Sequence, residues 1–198
     1  MGAAAVVQPG EVTLVPAGSP YDAGALWLRT PETFEDFDVS FRARVDHVSN
    51  AAPPSDGFTF AWLHDAMGNA APGDSSADRA LGVPSGFAGY GVEYDTYRMM
   101  TGYLHVDPTR GVPGQYPWEV PGTLQSMSFV MNTWHDVTVR LRAGALTASV
   151  DGVPWSASAP GFQPFAGYMG FTAHSGYAGD GFDLSQFHAS FEQPGCDP

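Results

Sequence analysis

Hydrophobic and polar positions alternate along Asp38-Val39-Ser40-Phe41-Arg42-Ala43-Arg44-Val45, with Val39, Phe41, Ala43 and Val45 on one side. Successive side chains of a strand point to opposite faces, so this run predicts a strand with one buried and one wetted face. The same period returns over Trp134–Arg142, where Val137, Val139 and Leu141 point inward and Thr138, Arg140 and Arg142 outward. Ala145–Val150 follows, and the turn dipeptide Asp151-Gly152 marks a hairpin there. Gly57–Leu63 differs in being largely apolar on both faces, as a central strand between two packed layers would be. Val12–Val15, Gly24–Arg29, Gly91–Tyr97, Tyr103–Asp107, Gly167–Ala173 and Leu184–Phe191 read likewise, ten named runs in a pattern that indicates about eleven strands. The last has Leu184, Phe187 and Phe191 as anchors, and its broken alternation places a bulge near Gln186. No segment carries the period of an amphipathic helix, so the chain is expected to be all-β, two antiparallel sheets packed face to face.

The 24 glycines and 17 prolines fall between these runs, as turns and loops require. Asp65–Ser85 reads as a long loop, and Arg110–Thr123 as another, because Pro113, Pro117 and Pro121 exclude a central strand. A chain of 198 residues suits one domain over 1–198, with a core from about 10 to 191. No apolar run approaches the roughly 18 residues that cross a bilayer. Gly2–Val7 lacks the basic start and long hydrophobic stretch of a secretory signal. The formal charge is −13 and every basic residue is arginine, which disfavours nucleic acid or another polyanion as partner. Cys196 stands alone, excluding an intrachain disulfide and a cysteine zinc site.

Candidate chemistry centres on Tyr90-Gly91-Val92-Glu93-Tyr94-Asp95-Thr96-Tyr97. Glu93 and Asp95 are two apart on a strand and share a face. Close carboxylates repel unless a cation, a shared proton or an arginine relieves them, so the pair reads as a metal or acid/base site, as an internally satisfied pair, or as a solvated face. His105 and Asp107, again two apart on a neighbouring strand, would add an imidazole and a third carboxylate. His64-Asp65 and His135-Asp136 read as loop and strand-edge pairs and form no nucleophilic triad. No Gly-x-Gly-x-x-Gly run opens a helix, so a nucleotide loop is absent.

In this order the signals resemble the L-type lectin family, which includes legume lectins, bacterial relatives and animal cargo lectins. The resemblance runs from Gly10 to Phe191. It rests on the Phe41 strand, Asp56-Gly57 opening an apolar strand, and Ala80-Leu81-Gly82. It continues through Val92-Glu93-Tyr94-Asp95-Thr96-Tyr97, Trp134, and Gly170-Phe171-Thr172-Ala173 with Ser175-Gly176. The Glu-x-Asp-Thr-Tyr strand is its most specific part. The resemblance implies a concanavalin A-like jelly roll that binds glycans, without catalysis, through loops at one end. Asp56 would accept hydrogen bonds from sugar hydroxyls. Glu93, Asp95, the Tyr97 backbone oxygen and His105 would hold Ca2+ and a second, transition-metal ion, with Trp134 in the core. An extracellular or cell-surface location is implied as well.

The chain departs from the family pattern twice. After Tyr97 it carries Arg98-Met99-Met100-Thr101-Gly102-Tyr103, where the family has an asparagine and then an aspartate. Calcium takes six to eight oxygens, so the cage is depleted unless Asp107 turns toward Asp95; otherwise Arg98 or His105 satisfies the acids. Asp78-Arg79-Ala80 precede Leu81-Gly82, where the family places glycines. The expected glycan contacts are Asp56, Arg79, Tyr103 and Tyr177, with Tyr116 and Trp118 as further loop aromatics. Two other classes stay open: a ligand-free structural or adhesion module, and a glucanase-type glycoside hydrolase, for which Tyr97 stands in place of the needed third acid. Exposed sheet faces are compatible with a dimer.

Overall fold

The computed structural model describes residues 5–8, 10–28, 32–48, 52–65, 80–84, 86–107, 118–158 and 162–192. Among these residues fourteen strands form: β1 (Ala5–Gln8), β2 (Glu11–Val15), β3 (Ala23–Trp27), β4 (Glu32–Phe34), β5 (Asp36–Asp46), β6 (Gly57–Asp65), β7 (Phe87–Asp95), β8 (Met100–Val106), β9 (Gln125–Ser126), β10 (His135–Arg142), β11 (Ala145–Val150), β12 (Val153–Ser158), β13 (Phe165–His174) and β14 (Gly181–Glu192). The only helical turn among the described residues is a 3₁₀ turn at Ala80–Gly82. One sheet has the order β1-β2-β14-β5-β10-β11-β12, the other β3-β13-β6-β7-β8-β9, with β4 added to β13. All pairings among the described residues are antiparallel. The expected sandwich is therefore the one that forms.

The alternation read from the sequence sets which faces meet. On β5, Phe37, Val39, Phe41, Ala43 and Val45 are buried, and β10 lays Leu141, Val139 and Val137 beside Phe37, Val39 and Phe41. The opposing sheet supplies Phe58, Phe60 and Trp62 from β6, Val92 and Tyr94 from β7, and Phe171 from β13. Phe41 and Phe171 meet edge to face across the layers at 4.8 Å, Phe37 meets Trp62 at 5.1 Å, and Tyr94 stacks on Phe58 at 4.6 Å. Edge-to-face and offset geometries suit ring quadrupoles, so this seam is specific in shape as well as apolar.

The apolar second face of β6 is also explained. Ala61 and Leu63 pack with Val83, Leu104, Val106 and Trp118 in a smaller cluster on the outer side of the second sheet, flanked by Trp27 and Phe87. Trp118 is thus a buried residue, not a rim aromatic. Trp134, expected in the core, is only half buried and lies beneath the guanidinium groups of Arg42 and Arg44, at 5.7 and 4.8 Å. Its position precedes the first inward residue of β10, so the strand turns it to the solvent face.

Four strands exceed the sequence expectation: β1, β4, β9 and β12. They are short or at a sheet edge, and β12 contains Pro154, which an edge strand tolerates because it needs no donor on that side. Ala143-Gly144 joins β10 to β11, while Asp151-Gly152 joins β11 to β12. Both turns have positive φ at both residues (46° and 76°; 49° and 77°), the geometry whose twist matches the flanking strands. The bulge on β14 falls between Ser185 and His188, with Gln186 at φ 52°.

Because Phe41 touches aromatic rings of β6, β7 and β13 together, Phe41→Ala should lower unfolding free energy by about 3–5 kcal/mol, read from urea denaturation followed by tryptophan fluorescence.

Candidate functional site

The strand β7 is buried on both faces. Tyr90, Val92 and Tyr94 enter the main core, so Gly91, Glu93 and Asp95 share the other face, and both acids are 0% exposed. Cross-strand register places Glu93 opposite Gly102 and Asp95 opposite Met100. A methyl group on Gly102 would stand 2.8 Å from Glu93 Oε1, so the glycine makes room for the carboxyl. His105 is opposite Tyr90 and its ring stacks on that tyrosine at 4.9 Å, on the core side of the sheet. The row facing the acids holds Leu104 instead. Asp107 lies just past β8, where its backbone oxygen accepts the Trp118 indole N–H at 3.1 Å. The imidazole expected beside the acids is thus turned away by strand parity.

Arg98 takes the central place. It lies in the turn Thr96–Met99, which folds back so that its backbone N–H donates to Asp95 Oδ1 at 2.7 Å and its Nε to Oδ2 at 2.5 Å. Its Nη2 donates to Glu119 Oε1 and stands 3.6 Å from Glu93 Oε1. Glu119 comes from a segment that pairs with β8, Trp118 O accepting from His105 N and Val120 N donating to Tyr103 O, each at 2.9 Å. That pairing sets Glu119 opposite Leu104, on the face of the acids. Burial pushes the Glu93 carboxyl up to about 9, the nearby Glu119 and Asp95 carboxylates adding to the shift and Arg98 opposing it. Glu93 therefore holds its proton at neutral pH. Burial works against the charge of Arg98, but the hydrogen bonds from its guanidinium to Glu119 and Asp95 outweigh it and raise its pKa.

These residues do not fit the two metal ions that the resemblance implies. A guanidinium group already lies among the carboxylates, the histidine faces the core, and the oxygen donors after Tyr97 are replaced by Arg98 and Met99. Among the described residues, no three His, Cys, Asp or Glu side chains are arranged to hold a metal.

Asp56 lies at the adjoining end of the sandwich, immediately before β6 and after a cis Ser55–Asp56 peptide. Its N–H donates to His174 O at 3.1 Å, and its carbonyl accepts from Thr96 N at 2.9 Å and Tyr97 N at 3.3 Å. The backbone is thereby fixed between the ends of β13 and β7. Its Oδ2 lies 2.6 Å from His174 Nδ1, while Gly176 leaves space on the other side: a methyl group there would be 2.6 Å from Oδ1. Ser55 is held in turn. Its N–H donates to Asp180 Oδ2 at 2.9 Å, its hydroxyl accepts from Ala178 N at 3.2 Å, and the buried Asp180 pairs with His47 Nδ1 at 2.8 Å.

A cleft of about 250 Å³ opens beside Asp56, lined by Pro53, Ser55, Tyr97, Tyr177 and Ala178. Tyr97 is 56% exposed and Tyr177 76%; Tyr21, at 69%, meets Tyr177 edge to face at 6.4 Å. Ser175 pins the loop carrying Tyr21: its N–H donates to Asp22 O at 2.8 Å and its hydroxyl accepts from Asp22 N at 3.1 Å. Of the expected contacts, Asp56 and Tyr177 come together here. Tyr103 does not; at 1% exposed it belongs to the core, because its strand parity matches that of His105. Tyr97, expected only as a backbone donor, brings its ring to the cleft. Arg79 and Tyr116 lie outside the described residues. His174, Asp180, His47, Tyr21 and Glu119 carry no spacing signal, since each reaches the site from a distant part of the chain.

No protein-family model and no curated protein matches the sequence. Solved structures do match. The carbohydrate recognition domain of Emp47p is 16% identical, covering 94% of this chain and 84% of its own with a TM-score of 0.73. The VIP36 exoplasmic/lumenal domain in its Ca2+/mannose-bound form is 15% identical, covering 98% and 82% with a TM-score of 0.73. Basic winged bean lectin with Tn-antigen is 14% identical, covering 94% and 90% with a TM-score of 0.69. The chain therefore has the legume-like, L-type lectin fold, a concanavalin A-like sandwich.

Asp180→Ala leaves the Ser55 N–H and His47 without their partner, so it should cost about 3 kcal/mol in chemical denaturation and speed hydrogen exchange at Ser55 and Asp56 more than in β5.

Proposed function

We propose that this protein binds carbohydrate without catalysis, in the cleft beside Asp56. The observation that carries the reading is a carboxylate fixed by His174 and presented between two exposed tyrosine rings, Tyr97 and Tyr177. A sugar ring offers hydroxyl groups along its edge and C–H groups on its face. Asp56 accepts hydrogen bonds from the former, and a tyrosine covers the latter with little loss of rotamer freedom. Tyr21 continues the aromatic surface past Tyr177. VIP36 has been solved with mannose and winged bean lectin with Tn-antigen, which supports a glycan as the ligand class.

Hydrolysis finds less support. A glycosidase needs two carboxyl groups facing the scissile bond, whereas Glu93 and Asp95 are fully buried behind Arg98 and Tyr97 occupies the third acid position. Calcium and a transition ion are left out of the proposal because their donor set does not fit. An extracellular or cell-surface location accords with the ligand class and with VIP36 being an exoplasmic/lumenal domain; among the described residues no helix is long and apolar enough to cross a membrane. Pairing two copies would raise avidity for clustered glycans.

An array of neutral and acidic glycans tests the reading. Binding should be lost in Asp56→Ala while the protein still folds, and Tyr177→Ala should weaken it by about tenfold. Retention of no glycan at high protein concentration would refute carbohydrate binding and leave a structural or adhesion module, and unchanged affinity in Asp56→Ala would move the site elsewhere.

A further inference from the structure

We infer that the Arg98 guanidinium is a built-in replacement for the divalent cation, so that the Asp56 cleft is organised by the polypeptide alone and needs no metal. The physical problem is set by β7, which carries Glu93 and Asp95 into a fully buried position. An unpaired carboxylate there is costly, and something positive must stand within reach of it. An arginine three residues beyond Asp95 does so, with two hydrogen bonds to that carboxylate and a third to Glu119. A guanidinium fork satisfies two differently placed carboxylates at once, which an ammonium does less well.

Its reach extends to the cleft. The contacts to Asp95 close the turn that contains Thr96 and Tyr97, and the N–H groups of those two residues hold the Asp56 carbonyl at 2.9 and 3.3 Å. Tyr97 also lines the cleft. Arg98 is therefore a positioning residue: it touches no ligand but fixes both the acid and one ring that would. Glu119 is its second anchor, from the segment laid along β8. The metal independence of this end follows from the same contacts. A divalent ion brought among these carboxylates would have to displace a cation that is covalently part of the chain and already hydrogen-bonded.

The effect on ligand rests on the carbohydrate-binding reading, whereas the effect on stability does not, so the two fail separately. Wild-type protein dialysed against EDTA should melt at the same temperature with or without millimolar calcium or manganese, and calorimetric titration with either ion should give no binding heat. Arg98→Met should lower the melting temperature by about 10 °C, because it strands buried carboxylates. Glu119→Gln added to Arg98→Met should recover part of that loss by removing one of the stranded charges, which a purely steric role of the arginine would not produce. Any glycan found on the array should remain bound after chelation. A calcium- or manganese-induced rise in wild-type melting temperature, or an Arg98→Met protein as stable as wild type, overturns the inference. If Arg98→Met does not fold, Arg98→Lys should melt below wild type, and the wild-type metal titration still decides.

Discussion

The two faces of β7 impose the constraint from which the rest of this structure follows. The strand lies in the middle of its sheet with its inner side against Phe58, Phe60 and Phe41, so Tyr90, Val92 and Tyr94 can point only inward. Period-2 geometry then commits Glu93 and Asp95 to the opposite face, which is also closed to water. Burying two acids side by side is unfavourable unless positive charge or a proton meets them, and the chain uses both. Arg98 pairs with Asp95 and Glu119 together, and Glu93 retains its proton because burial holds its carboxyl near 9. One arginine carries a single charge, and a protonated Glu93 lowers the negative charge it faces from three carboxylates to two.

This arrangement couples the middle of the sheet to its end. Gly57 pairs with Asp95, so the residue before Gly57 lies beside the residue after Asp95. Asp56 is thereby locked to Thr96 and Tyr97 on one side and to His174 on the other. The glycines at 57 and 176 permit it: a methyl group on Gly57 would meet Tyr94 O at 2.2 Å, and one on Gly176 would meet the Asp56 carboxylate. The cleft is held by backbone hydrogen bonds where the strands end and is exposed where the tyrosines stand.

Charge balance elsewhere follows similar rules with different consequences. Arg44 joins the buried Asp183 to Asp46 on the outer side of the first sheet and covers Trp134, while His135 and Asp151 tie β10 to the turn after β11. None of these residues lines the cleft beside Asp56. Acids outnumber bases in the sequence, and Arg44 and Arg98 are each shared among more than one carboxylate.

Local alternation of apolar and polar residues was enough to assign the strand faces. Alternation along β5 and β10, the doubly apolar β6, the bulge on β14 and the shared face of Glu93 and Asp95 are local, because side-chain direction in a strand depends only on position parity. The L-type sandwich was legible for the same reason, and Asp56 and Tyr177 were legible as candidates. Short edge strands such as β12 were not, since their existence depends on a neighbour to pair with. Nor were the partners of the acids. Whether a histidine, an arginine or a metal ion would meet Glu93 and Asp95 depended on the register of β8, which turns His105 and Tyr103 into the core and leaves Gly102 and Met100 opposite the acids. The tertiary structure alone brought Glu119, His174 and Asp180 into place, because electrostatic and hydrogen-bond partners are chosen by distance in space and not by spacing along the chain.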